Sequence, residues 1–98
     1  MRSSLFPSAV LALALSAAPA MAEPDGAMLA QACAGCHGQS GQGMGAAPAI
    51  RGQDSASFIR MWEDFRADER PATIMNRIAR GYSEAEVAAL AAYFETLD

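Results

Sequence analysis

Cys33-Ala34-Gly35-Cys36-His37 is the stretch on which the reading of this chain turns. The two-residue spacer puts both sulfurs on one helical turn, and an imidazole follows directly. Cys-x-x-Cys alone suits a thioredoxin-like redox pair, half of a zinc site or a structural disulfide. A redox pair has no need of the adjacent His37, and no βαβ pattern surrounds this one. A zinc site needs a further ligand, and the chain has only two Cys and one His. A disulfide leaves His37 idle. The full Cys-x-x-Cys-His string is the attachment signature of a c-type haem. One haem c uses all three residues. Cys33 and Cys36 add to its vinyl groups as thioethers, and His37 turns under the iron as the proximal ligand.

Outward from the motif, residues 1–22 read as a cleaved secretory signal. Arg2 supplies the positive start, and Leu5 to Ala18 is apolar, interrupted by Pro7. Ala20-Met21-Ala22 is a small-x-small cleavage site. A membrane anchor is the alternative, but the run is short for a span of about 20 residues. Cleavage leaves 23–98 as one domain with no stable membrane insertion. A core that small needs a staple, and a covalently held haem is one. Of the seven basic residues, all Arg, one is in the leader. Six Arg then face eleven acids, a balance of −5. That acidity argues against nucleic acid and against anionic membranes as partners.

The elements read as all-α. Asp25 caps a helix from Gly26 to about Gly35, with Met28, Leu29 and Ala32 expected inward. Residues 38–53 are Gly-rich. They lack the Lys-Ser/Thr ending of a phosphate-binding loop, and their glycines let the backbone pass close to the ring edge. A carbonyl near Pro48 is expected to accept the His37 Nδ1 proton, and Ile50 to pack against the haem. Asp54 or Ser55 caps a helix over 56–66, whose stripe is Phe58, Met61, Trp62 and Phe65. The indole N–H of Trp62 needs a partner, and a haem propionate is the one expected. Pro71 is expected to open a third helix over 72–80, with Ile74, Met75, Ile78 and Ala79 as its apolar positions. Ser83 to Glu86 forms a capping box for a last helix over 84–97, facing inward with Val87, Leu90, Ala91, Phe94 and Leu97. Arg51, Arg77 and Arg80 read as surface residues.

No second His exists for the sixth iron position, so a Met is the candidate. Met28 lies on the attachment helix itself. Met44 follows His37 by only seven residues, and Met61 sits within the aromatic stripe. Met75, 38 residues beyond His37, has the chain length to reach the other face, and we assign it as distal ligand. The alternative is an open distal site, which makes the chain a small-ligand binder.

Cys33 to His37, the Pro48-Ala-Ile-Arg-Gly52 turn, Met75 and the terminal helix together resemble a small class I cytochrome c. Thr73-Ile-Met-Asn-Arg-Ile-Ala-Arg-Gly-Tyr-Ser83, with the Ala-rich helix ending Ala92-Tyr-Phe94, is similar to the single-haem cytochrome subunit of flavocytochrome c sulfide dehydrogenase. That resemblance implies about four helices round one haem, and it implies a distal Met in the segment that holds Met75. It implies a periplasmic haem subunit that takes electrons from an FAD-containing flavoprotein oxidising sulfide, and passes them to a downstream acceptor. No catalytic activity is expected from this chain alone. A free electron shuttle is the other reading.

Overall fold

The computed structural model describes residues 3–5, 7–10 and 23–98. Most of the expected leader, including its whole cleavage site, lies outside the described residues. Among them there are four helical runs and no strand beyond the isolated Met44–Ala47 bridge. No helix among them is long and apolar enough to cross a membrane.

The first run passes from α1 (Gly26–Ala30) through a 3-10 turn at Gln31–Cys33 into α2 (Ala34–His37). Asp25 caps it, its carboxylate accepting from the amides of Ala27 and Met28. The expected inward face is corrected: Met28 and Ala32 are exposed, and Ala30 is buried. Gly26 fixes the rotation, because a Cβ there would stand 2.3 Å from the Ala89 carbonyl oxygen. Ala30 lies one turn further on that same face. Met28 lies about 200° round from Gly26 and so points away.

Asp54 caps α3 (Ser55–Arg66), accepting from the Ser57 amide, and Phe58 and Trp62 are its buried residues. The third run is shorter than expected. It comprises α4 (Met75–Ile78) and a 3-10 turn at Ala79–Gly81, and Pro71 does not open it. Ile74 precedes it with no side-chain cap. Asn76 and Arg80 on this run make tertiary bonds that the local sequence does not signal. Ile74 and Ile78 are exposed, so of its four apolar positions only Ala79 is fully buried.

The capping box is present on α5 (Glu84–Glu95), with Ser83 and Glu86 exchanging both bonds. This helix stops two residues short of Leu97, where the Thr96 hydroxyl donates to the Tyr93 carbonyl at 2.6 Å. Val87, Leu90, Ala91 and Phe94 are buried along it. The core is the layer between α5, α3 and Ala30 of α1. Phe58 stacks with Trp62 and Phe94 at centroid separations of 6.0 and 5.8 Å, and Tyr82 meets the Trp62 ring edge-on at 5.2 Å. Burying this cluster is the main apolar gain within the chain itself.

Candidate haem-attachment site

The attachment motif closes the first helical run. Cys33 is half-buried, Cys36 is exposed, and neither is in a disulfide. Burial pushes the Cys33 thiol above its ordinary value. His37 is buried, at 8% exposure, and it is the one buried polar side chain among the described residues. Its Nδ1 lies 2.6 Å from the Pro48 carbonyl oxygen. A carbonyl can only accept, so Nδ1 carries the proton, and in the neutral ring Nε2 has the lone pair that a metal needs.

The loop that brings Pro48 to His37 is held by its own backbone. Gly43 N–H donates to the His37 carbonyl at 2.7 Å, and Ile50 N–H to that of Gly41 at 2.8 Å. Met44 and Ala47 exchange two bonds across a tight turn, and Gly52 N–H reaches the Phe94 carbonyl at 2.9 Å. Gly41 has φ +68°, and a Cβ there would lie 2.8 Å from the Phe94 ring and 3.0 Å from Ile50. Only glycine gives that conformation and that approach without strain. Ile50 is partly buried against the core at this point.

Met75 opens α4 and is partly buried against the same core. The segment carrying it is fastened to α3 by side chains. The Trp62 indole N–H donates to the Ala79 carbonyl at 3.2 Å, within the core. This corrects the expected propionate partner, because the N–H is already taken; Trp62 remains a packing residue. Arg66 donates to the Tyr82 carbonyl at 2.8 Å and pairs with Glu63 at 3.5 Å. Asn76 donates to Asp68 Oδ1 at 3.2 Å, and Arg80 pairs with Asp68 Oδ2 while reaching the Arg66 carbonyl at 3.4 Å. Arg80 is thereby placed as an anchor, while Arg51 and Arg77 are exposed. Asp68 carries no pattern in the sequence beyond its charge. Its only signal is an acid just past a helix end.

The chemistry of these residues fits a covalently bound haem. Two unbridged thiols and an imidazole with one free nitrogen stand together at the end of one helical run. Met44, Ile74 and Ile78 expose large apolar surface, at 53%, 54% and 37%. Exposed aliphatic groups beside a partly buried Met suit an apolar ring better than water. No group of three or more His, Cys, Asp or Glu among the described residues forms a metal cluster of another kind.

The cytochrome c family model matches residues 24–98. The cytochrome subunit of sulfide dehydrogenase from Chlorobaculum tepidum is 36% identical over 75 residues, covering 76% of this chain and 68% of that protein. Cytochrome c-553 of Nitratidesulfovibrio vulgaris is 36% identical over 92 residues, covering 88% of each chain. The thiosulfate dehydrogenase electron acceptor of Stutzerimonas stutzeri is 40% identical over 70 residues, which cover 69% of this chain but 32% of that protein. The chain belongs to the cytochrome c family. Its fold is the all-α class I fold, close to that of the sulfide dehydrogenase subunit. Its cofactor is a covalently attached haem c, and its function is electron transfer.

Proposed function

We propose that this chain is an exported, periplasmic monohaem electron carrier that serves as the haem subunit of an FAD-containing, sulfide-oxidising flavoprotein. In this reading residues 1–22 are removed on export and 23–98 form the cytochrome domain. Cys33 and Cys36 hold the haem covalently, His37 is the proximal iron ligand and Met75 the distal one. Pro48 and Ile50 support the proximal side, and Trp62 packs beneath the distal segment.

When bound, the haem supplies an iron centre that cycles between two oxidation states. His37 presents Nε2 in one fixed orientation, because its Nδ1 proton is held by Pro48. That bond also strengthens the imidazole as a donor. The Met75 thioether is soft; as a ligand it would favour ferrous iron and raise the potential. With His37 and Met75 both holding the iron, no position on it would be left for substrate or oxygen. The donor's chemistry stays on the donor. The observation that carries the electron-transfer reading is the His37–Pro48 bond within the Cys-x-x-Cys-His run. The relative named a sulfide dehydrogenase subunit supports the choice of partner.

A second reading is a free shuttle, supported by the match over 88% of each chain to a relative whose name, cytochrome c-553, carries no dehydrogenase. One experiment separates them: mild isolation from the native periplasm, an absorption spectrum, then addition of sulfide. Flavin that co-purifies with the haem bands, together with haem reduction by sulfide, supports the subunit. A lone haem protein, reduced no faster than the uncatalysed control, supports the shuttle.

A further inference from the structure

Asp68 takes the single left-handed backbone conformation found outside glycine among the described residues, at φ 56°. It follows the C-terminus of α3, where glycine is the favoured residue and any other side chain costs energy. Such strain persists where the side chain has a use. Here each carboxylate oxygen receives one donor: Oδ1 takes Asn76 Nδ2 at 3.2 Å, and Oδ2 takes Arg80. Asn76 is the residue directly after Met75, and Arg80 lies beyond it on the following turn.

The segment's two ends are held unequally. Its C-terminal end is tied within the core, by Trp62 to the Ala79 carbonyl and by Arg66 to that of Tyr82. Its N-terminal end has no such tie. Residues 71–74 are not helical, Ile74 is exposed, and α4 begins without a side-chain cap. Among the described residues, the bond from Asn76 to Asp68 is the side-chain hydrogen bond nearest Met75 on the segment.

We infer that Asp68 is a positioning residue, a latch that holds the Met75 end of the distal segment on α3 and so sets how readily Met75 gives way to another ligand. The inference rests on Met75 as the distal ligand. Asp68 touches neither the iron nor the ring; it acts through Asn76 and Arg80.

The test uses full-length holoprotein in the oxidised state, as wild type, Asp68→Gly, Asp68→Asn and Met75→Ala. Two readouts are taken: imidazole affinity with the thioether–iron charge-transfer band, and thermal stability. Asp68→Gly removes the latch but suits the left-handed turn. Imidazole is expected to bind about fivefold tighter or more, the scale of losing exposed hydrogen bonds to a charged group. Thermal stability is expected to stay level or rise. Asp68→Asn keeps one acceptor and is expected to fall between the two. A merely structural role predicts the reverse pattern for Asp68→Gly, with lower stability and unchanged imidazole affinity, and that result overturns the latch. Equal imidazole affinity in Asp68→Gly, Asp68→Asn and wild type overturns it as well, even where Met75→Ala abolishes the band. A wild type that lacks the band and binds imidazole as tightly as Met75→Ala overturns the ligand assignment itself, and the latch with it.

Discussion

The two segments that flank the proposed iron site are built from different materials. On the His37 side, residues 38–52 are held by main-chain bonds, with five glycines at positive φ. Even the contact that orients His37 is to a backbone carbonyl. On the Met75 side, the fastenings come from the side chains of Trp62, Arg66, Asp68, Asn76 and Arg80. A backbone-built wall tolerates exchange of its side chains but not of its glycines. A side-chain-built wall can be tuned one residue at a time. A carrier gains from this division. In the proposed reading, the His37 side would fix how the imidazole meets the iron, and the Met75 side would set how firmly the sixth position is closed.

The contrast breaks most sharply at Gly41. Gly41→Ala adds a left-handed strain and a clash with Phe94 and Ile50, together costing roughly 3 kcal/mol. In a domain of this size the melting temperature is expected to fall by on the order of 15 °C, as read by circular dichroism of the holoprotein. A loss under a few degrees would show that the loop yields and is not the rigid half.

Trp62→Phe probes the other half. It keeps most of the packing but leaves the Ala79 carbonyl buried without its donor, a cost of about 1–2 kcal/mol. Denaturant unfolding is expected to show that loss, and holoprotein NMR to confine the shift changes to the distal segment. Changes centred on the His37 ring would mean that the two halves are not independent.

The smallest expected effect concerns the helix on which the distal segment leans. The hydrogen bonds from Ser57 hold the Asp54 carboxyl below its ordinary value. A lowered folded value contributes stability that is complete above the unfolded value, about 3.9. That share is lost as pH falls through the folded value. The denaturation midpoint is therefore expected to drop slightly more in wild type than in Asp54→Asn between about pH 5 and about pH 3. Parallel curves would remove Asp54 as a contributor.

Much of the scaffold was legible because it obeys local rules. The stripes Phe58/Trp62 and Val87/Leu90/Ala91/Phe94 follow the helical period, and the Ser83–Glu86 box marks its own helix start. The carbonyl expected near Pro48 is that of Pro48 itself. What escaped depends on partners far along the chain. Met28 points outward because Gly26, not an apolar stripe, sets the rotation of α1 against α5. The third helix begins at Met75 rather than near Pro71, and the bonds its residues make to Asp68 lie outside any local pattern. Ile74 and Ile78 look like core in the sequence, yet they are exposed, and a bound haem would offer them a surface that the chain does not encode. The Trp62 donor looks free for a propionate in the sequence for the same reason: its partner, the Ala79 carbonyl, is a backbone group with no signature.

The most direct test of the account is carbon monoxide binding to the ferrous holoprotein under native conditions. With His37 and Met75 both on the iron, the spectrum is expected to stay unchanged at carbon monoxide concentrations that saturate an open haem. Rapid, stoichiometric formation of a carbonyl adduct would contradict the account and make this chain a small-ligand binder.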